Sequence, residues 1–212
     1  MEMNYSQFKE IRKSILSKHK DDDNFYIKGT NNVLISCPHA VPQTRLGKLK
    51  VAEIGTLSFG YFLAQQTSSH YIVKTKNNYD DANFDAVSIY REKMKKIIKE
   101  NNIKYIFDIH GLSRSHEIDL NFGTHHDENI KNDRKLFEKL IEGVKNDFFY
   151  SIDNPYSGGY GTISGYFSKE FGAWTLQVEI NCGITNDPKN IKKQNLLLTK
   201  FVELINQNIN QK

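Results

Sequence analysis

The chain of 212 residues carries 38% hydrophobic and 25% charged side chains, with thirteen Phe and eleven Tyr, a composition that excludes disorder and supplies one sizeable core. Its net charge of +4 arises from 29 basic and 25 acidic residues dispersed along the sequence, too weak and too scattered for a nucleic-acid partner, and no stretch calls for a membrane. A single domain spanning residues 1–212 is the expectation.

In chain order, Tyr5 to Lys18 reads as an amphipathic helix leading into the acidic turn Asp21 to Asp23. "NNVLISCPHA" follows as a short buried strand, "KVAEIGTLSFGYFLAQQ" suits a helix despite its two glycines, and "HYIVKT" reads as a strand. "NFDAVSIYREKMKKIIKENN" is an amphipathic helix stopped by Asn-Asn, and "IKYIFDIH" is the central strand, apolar enough to be buried on both faces. "EIDLNFGT" is strand-like, "IKNDRKLFEKLIEGVKNDF" helical, and "NPYSGGYGTISGYFSKEFG" is too irregular for a simple element and the most loop-like stretch. The strand "WTLQVEIN" and a helix from about Asn190 to Ile209 complete the chain. This alternation predicts parallel βαβ units in an α/β sandwich.

Three apolar runs share a layout: "VLISCPH" ends in His39, "YIFDIH" ends in His110, and "TLQVEIN" reaches Glu179 near its end. Parallel neighbours would gather these side chains at one sheet edge, where such sheets place their ligands. Two imidazoles and a carboxylate are the donors a catalytic zinc takes, with a fourth position left for water. Glu179 inside an apolar run needs a cation, a donor or a metal, because an unpaired carboxylate is costly to bury. No H-E-x-x-H helix, G-x-S-x-G elbow or G-x-x-x-x-G-K-[ST] loop occurs. Cys37 precedes His39 by two residues, but a buried strand position predicts an inert thiol. His125 and His126, beside Asp127 and Glu128, read as a solvated loop. "MEMNYSQFKEIRKSI" has no continuous apolar core, so no secretory signal is expected, and Cys37 and Cys182 are expected to be reduced thiols in the cytoplasm.

Taken together, "LISCPHA", the glutamate of "KVAEIGT", "FDIHGLS" with "EIDLNFGT", "NPYSGGYGT" and "LQVEINCGI" resemble the N-formylglutamate amidohydrolase family in order and approximate spacing, from about Leu34 to Ile184. These are zinc hydrolases with a catalytic core similar to that of zinc carboxypeptidases. The resemblance implies a three-layer α/β/α sandwich with a mixed, mostly parallel sheet. It implies one zinc ion, with His39, Glu53 and His110 as ligands and Glu179 as general base. From spacing alone, Glu179 could equally be the third ligand.

The substrates so implied are small acylated amino acids or short peptides, whose carboxylates call for arginine forks. Arg45, Arg91 and Arg114 are the candidates. Arg114, four residues beyond His110, is the expected one, whereas Arg91 on a lysine-rich helix is expected to be solvated. Gly158 and Gly159 would let backbone approach a ligand, bringing Tyr160 inward, and Asp108 could orient an imidazole. "KTKNNYDDANFD" lacks the family's Asn-Arg feature and "GGYGTISGY" has no arginine after its glycines, so the same reaction on a shifted substrate is expected. A carboxypeptidase-like peptidase and a binding protein that kept the fold are the alternatives.

Overall fold

The computed structural model describes residues 2–210. Asn4 caps α1 (Tyr5–Lys18), accepting from the Gln7 amide at 2.9 Å while Gln7 accepts from the Asn4 amide at 2.7 Å. There follow β1 (Asn24–Ile27), β2 (Val33–Cys37), the hairpin β3 (Gln43–Arg45) and β4 (Lys48–Lys50), and α2 (Thr56–Thr67). Next come β5 (His70–Lys74), α3 (Ile89–Asn101), β6 (Tyr105–Leu112), β7 (Leu120–Gly123), α4 (Arg134–Val144) and β8 (Tyr150–Ile152). The chain continues through α5 (Ile163–Phe171), β9 (Trp174–Asn181), the short α6 (Cys182–Thr185) and α7 (Ile191–Asn208).

Seven strands form one sheet in the order β1-β5-β2-β6-β9-β7-β8. The central four, β5, β2, β6 and β9, run parallel. β1 is antiparallel to β5 and β7 antiparallel to β9, and β8 runs parallel to β7. This is the mixed, mostly parallel sheet of the expected α/β class.

The alternation of side chains along the strands builds a core on each face. Val33, Ile35, Phe107, Ile109, Leu176 and Val178 pack with Leu63 of α2, Leu140 of α4 and Phe201 of α7. On the other face Leu34, Ile72 and Ile106 meet Tyr90 and Met94 of α3 and Phe167 of α5. The first face stays apolar along β6 and β9. The second changes character toward the strand ends: on β6, Ile106 is followed by Asp108 and His110, and on β9, Thr175 by Gln177 and Glu179, all buried. The polar groups therefore collect at one place without interrupting the larger core.

Two glycines in and before α2 have local causes. Gly55 stands at the helix start with φ 105°, a backbone state that favours glycine. A Cβ at Gly60 would lie 2.4 Å from Cys37 Sγ, so the helix approaches β2 only because that side chain is missing. The most loop-like segment of the sequence contains α5, which starts where Thr162 accepts from the Gly165 amide. Its Gly165 sits so close to the Gly159 carbonyl that a Cβ would clash at 2.2 Å. β1, the β3–β4 hairpin and β8 are further elements not foreseen from periodicity.

Candidate active site

β2, β6 and β9 lie side by side and parallel, so their carboxyl ends share one edge, and the register sets His110 directly opposite Glu179. His39 follows β2 by two residues. Between His39 and Glu53 the chain makes the β3–β4 hairpin and returns, closed by the Glu53 amide donating to the His39 carbonyl at 2.9 Å. Gly111 lets this return pass close to β6, since a Cβ there would stand 2.9 Å from that of Glu53.

The Glu53 carboxylate faces both imidazoles. Oε1 lies 2.8 Å from His39 Nδ1, and Oε2 lies 3.2 Å from His110 Nδ1 and accepts from the Gly111 amide at 2.9 Å. One ligand atom from each of His39, Glu53 and His110 lies within 4.8 Å of the others. The far ring nitrogens are also engaged, His39 Nε2 with Asp81 Oδ1 at 2.8 Å and His110 Nε2 with Asp108 Oδ2 at 3.0 Å. A carboxylate on Nε2 fixes the tautomer that leaves a lone pair on Nδ1, the arrangement of metal-binding histidines. The donor set therefore fits a divalent ion, and its composition suits zinc. Asp108 is held in turn by Ser36 Oγ at 2.7 Å, and Asp81 by Arg45 Nε at 2.8 Å.

Without a metal these groups share protons. Burial alone would lower the His39 pKa, but Glu53 and the Asp81 hydrogen bond outweigh it and push it up to about 9. His110 is likewise raised, burial being overcome by Asp108 and Glu53. Burial would raise Glu53 and Asp81, yet the imidazoles hold Glu53 below the usual carboxylate range, and His39 and Arg45 do so for Asp81.

Glu179, 5% exposed, behaves oppositely. Burial lifts it to about 7 with Glu53 adding to the rise, against the pull of His110 and of Gln177 Nε2, which donates to Oε1 at 2.8 Å. A carboxyl group poised near neutrality beside the donor cluster can both accept and return a proton.

These residues floor a cleft of about 500 Å³. One wall is the hairpin, with Gln43, Arg45, Lys50 and Val51, and the neighbouring Asn83 and Phe84. The other is the Pro155–Thr162 segment with Tyr156, Gly158 and Gly159. Arg45 and Gly159 thus stand in the cleft, and Asp108 stands behind His110. Arg114 and Tyr160 are not among the lining residues. The Arg114 guanidinium is half exposed and faces Asp187 at 3.4 Å and the Asn186 carbonyl, while the Tyr160 ring packs on His125 at 4.4 Å. Arg91 is buried instead of solvated: its Nε donates to the Ala82 carbonyl and its Nη2 to that of Gly161, tying the two walls together from below. Cys37 is buried, its thiol pushed well up by burial.

Sequence reasoning missed Asp81, Lys50 and Tyr156. Asp81 had one weak signal, an Asp-Asp pair in a polar stretch lacking the expected arginine. Arg45 reaches that same stretch from the hairpin, paired with Asp81 and stacked 5.0 Å over the Phe84 ring.

No protein-family profile matches the chain, and no curated protein matches it in sequence. Solved structures do match in fold. Gene product Atu2144 from Agrobacterium tumefaciens superimposes with a TM-score of 0.65 at 11% identity, over 93% of this chain and 99% of its own. An N-formylglutamate amidohydrolase from Ralstonia eutropha gives 0.64 at 10% identity, over 89% and 98%. A metallo-carboxypeptidase from Burkholderia cenocepacia gives 0.61 at 13% identity, over 95% and 69%. The chain shares the fold of these three structures.

Proposed function

We propose that this protein is a zinc-dependent hydrolase that cleaves the amide bond of a small N-acylated amino acid. The observation that carries the reading is the convergence of His39, Glu53 and His110, both imidazoles backed by buried carboxylates, beside a carboxyl group held near neutrality. A zinc ion on those three ligands would supply a water acidified toward neutral pH and a Lewis acid for the substrate carbonyl. Glu179 takes the proton of the attacking water and returns it to the departing nitrogen. Asp81 and Asp108 hold the imidazoles in the required tautomer. Arg45, with Nε and Nη2 already placed against Asp81 Oδ2, presents its remaining N–H groups to a substrate carboxylate, and Lys50 adds a second cation. Arg45 takes this role in preference to Arg114, which does not line the cleft.

Among the described residues no helix is long and apolar enough to cross a membrane, and both cysteines are free thiols. The two thiols support a reducing, cytoplasmic setting.

The test is hydrolysis of N-acyl amino acids by zinc-loaded protein, with metal content measured alongside. Glu179→Gln should lower turnover by about 10²- to 10⁴-fold while retaining one zinc per chain. Loss of zinc in that variant would make Glu179 a ligand, and full turnover would remove it from the chemistry.

A further inference from the structure

The two walls of the cleft differ in chemistry, and the difference bears on what is cleaved. Both lining cations, Arg45 and Lys50, stand on the hairpin. The opposite wall follows β8, from the far side of the sheet, and opens with Pro155 and Tyr156, the latter 46% exposed. This wall is fixed in place. The Tyr156 amide donates to Asn121 Oδ1 at 3.2 Å, and Asn121 Nδ2 donates to the Asn154 carbonyl at 3.0 Å. Asn121 is fully buried and lies opposite Glu179 in the β7–β9 register, so the aromatic wall is anchored to the strand beside the one that carries the base. On the hairpin side, exposed Val51 and Phe84 add apolar surface of their own. A one-carbon formyl group carries no methylene to lay against Pro155 and Tyr156 in a cleft of about 500 Å³.

Resting on the amidohydrolase reading above, we propose that the acyl group removed is a multi-carbon apolar one, an aliphatic chain or aromatic ring lying against Pro155 and Tyr156, while the amino acid's carboxylate meets Arg45 and Lys50. Apolar wall atoms that are wet in the free protein are covered only when the acyl group has carbon to spare. Each methylene so buried tightens binding roughly threefold to fourfold.

The experiment is a calorimetric series of N-formyl-, N-acetyl-, N-butyryl- and N-benzoyl-L-glutamate binding to the zinc-loaded Glu179→Gln chain, which separates binding from turnover. The expected result is a Kd that falls roughly threefold to fourfold per methylene from formyl to butyryl and stays low for benzoyl. Adding Tyr156→Ser flattens the series, whereas Tyr156→Leu, which keeps an apolar wall, preserves it. A flat series, a formyl ligand that binds tightest, or a gradient untouched by Tyr156→Ser overturns the inference. Turnover by the parent chain is read separately. If none of the four compounds is hydrolysed the amidohydrolase reading fails, while the Kd series still decides the acyl preference.

Discussion

Asp81 performs two tasks with one carboxylate. Oδ1 meets His39 Nε2 and accepts from the Asn83 amide, and Oδ2 takes Arg45, so a single buried side chain orients a proposed ligand and a proposed substrate contact together. Asp81→Asn and Asp108→Asn should each weaken zinc about 10- to 100-fold in chelator competition, because an amide no longer favours the tautomer with a free Nδ1. Asp81→Asn should also raise KM, since Arg45 loses its brace, whereas Asp108→Asn should not.

A pH prediction follows from His39. Its folded pKa, about 9, lies above the ordinary value of 6.5, so in metal-free protein it contributes stability that is complete below about 6.5 and lost as pH rises through about 9. The metal-free Tm should therefore fall across that window. Zinc-loaded protein, whose imidazoles carry no proton on Nδ1, should be flat there. A metal-free melting curve independent of pH from 6.5 to 9 would contradict the assignment.

Among the elements, the β3–β4 hairpin depends on a cation hidden beneath it. Lys74 at the end of β5 is fully buried and donates to Gln43 Oε1 at 2.9 Å and to the Asp80 carboxylate, stapling the hairpin to the Asp80–Phe84 segment. Lys74→Met should cost about 2–3 kcal/mol in urea denaturation, because Asp80 and Gln43 lose their partner where water enters poorly. The hairpin turn at Leu46–Gly47 should become sensitive to proteolysis.

What the sequence revealed follows from period and length. α1 coincides with the reading from Tyr5 to Lys18, and α7 differs by a residue at each end, because long amphipathic repeats are strong signals. β1, β3, β4 and β8 are three or four residues long; β1 and β8 owe their order to pairing with distant β5 and β7, and the hairpin strands pair only with each other. α5 was hidden by the glycines around it, and its own Gly165 is present to let Gly159 approach. His39, His110 and Glu179 were legible because each closes an apolar run. Glu53 required the family resemblance, and Asp81, 42 residues from His39, left no periodic trace.

For the molecule as a whole, two cores flank one sheet and share its central strands, so neither can melt without exposing the other. A single cooperative calorimetric transition is the expected result for the chain, as for a single domain. Zinc should move that one transition upward by mass action, since the donors come together only when β2, β6 and the return to Glu53 are in place. Two resolved transitions, or zinc shifting only part of the heat, would mean that the cores unfold independently.

The Glu53 amide bonded back to the His39 carbonyl closes the fourteen-residue step between them into a handle whose ends are tied together. Evolution, or an engineer, can lengthen or recolour the turn of such a handle while Arg45 stays against Asp81 and Glu53 stays against His39. Grafting another hairpin that keeps those two contacts should then change what the cleft admits while leaving the donors in place.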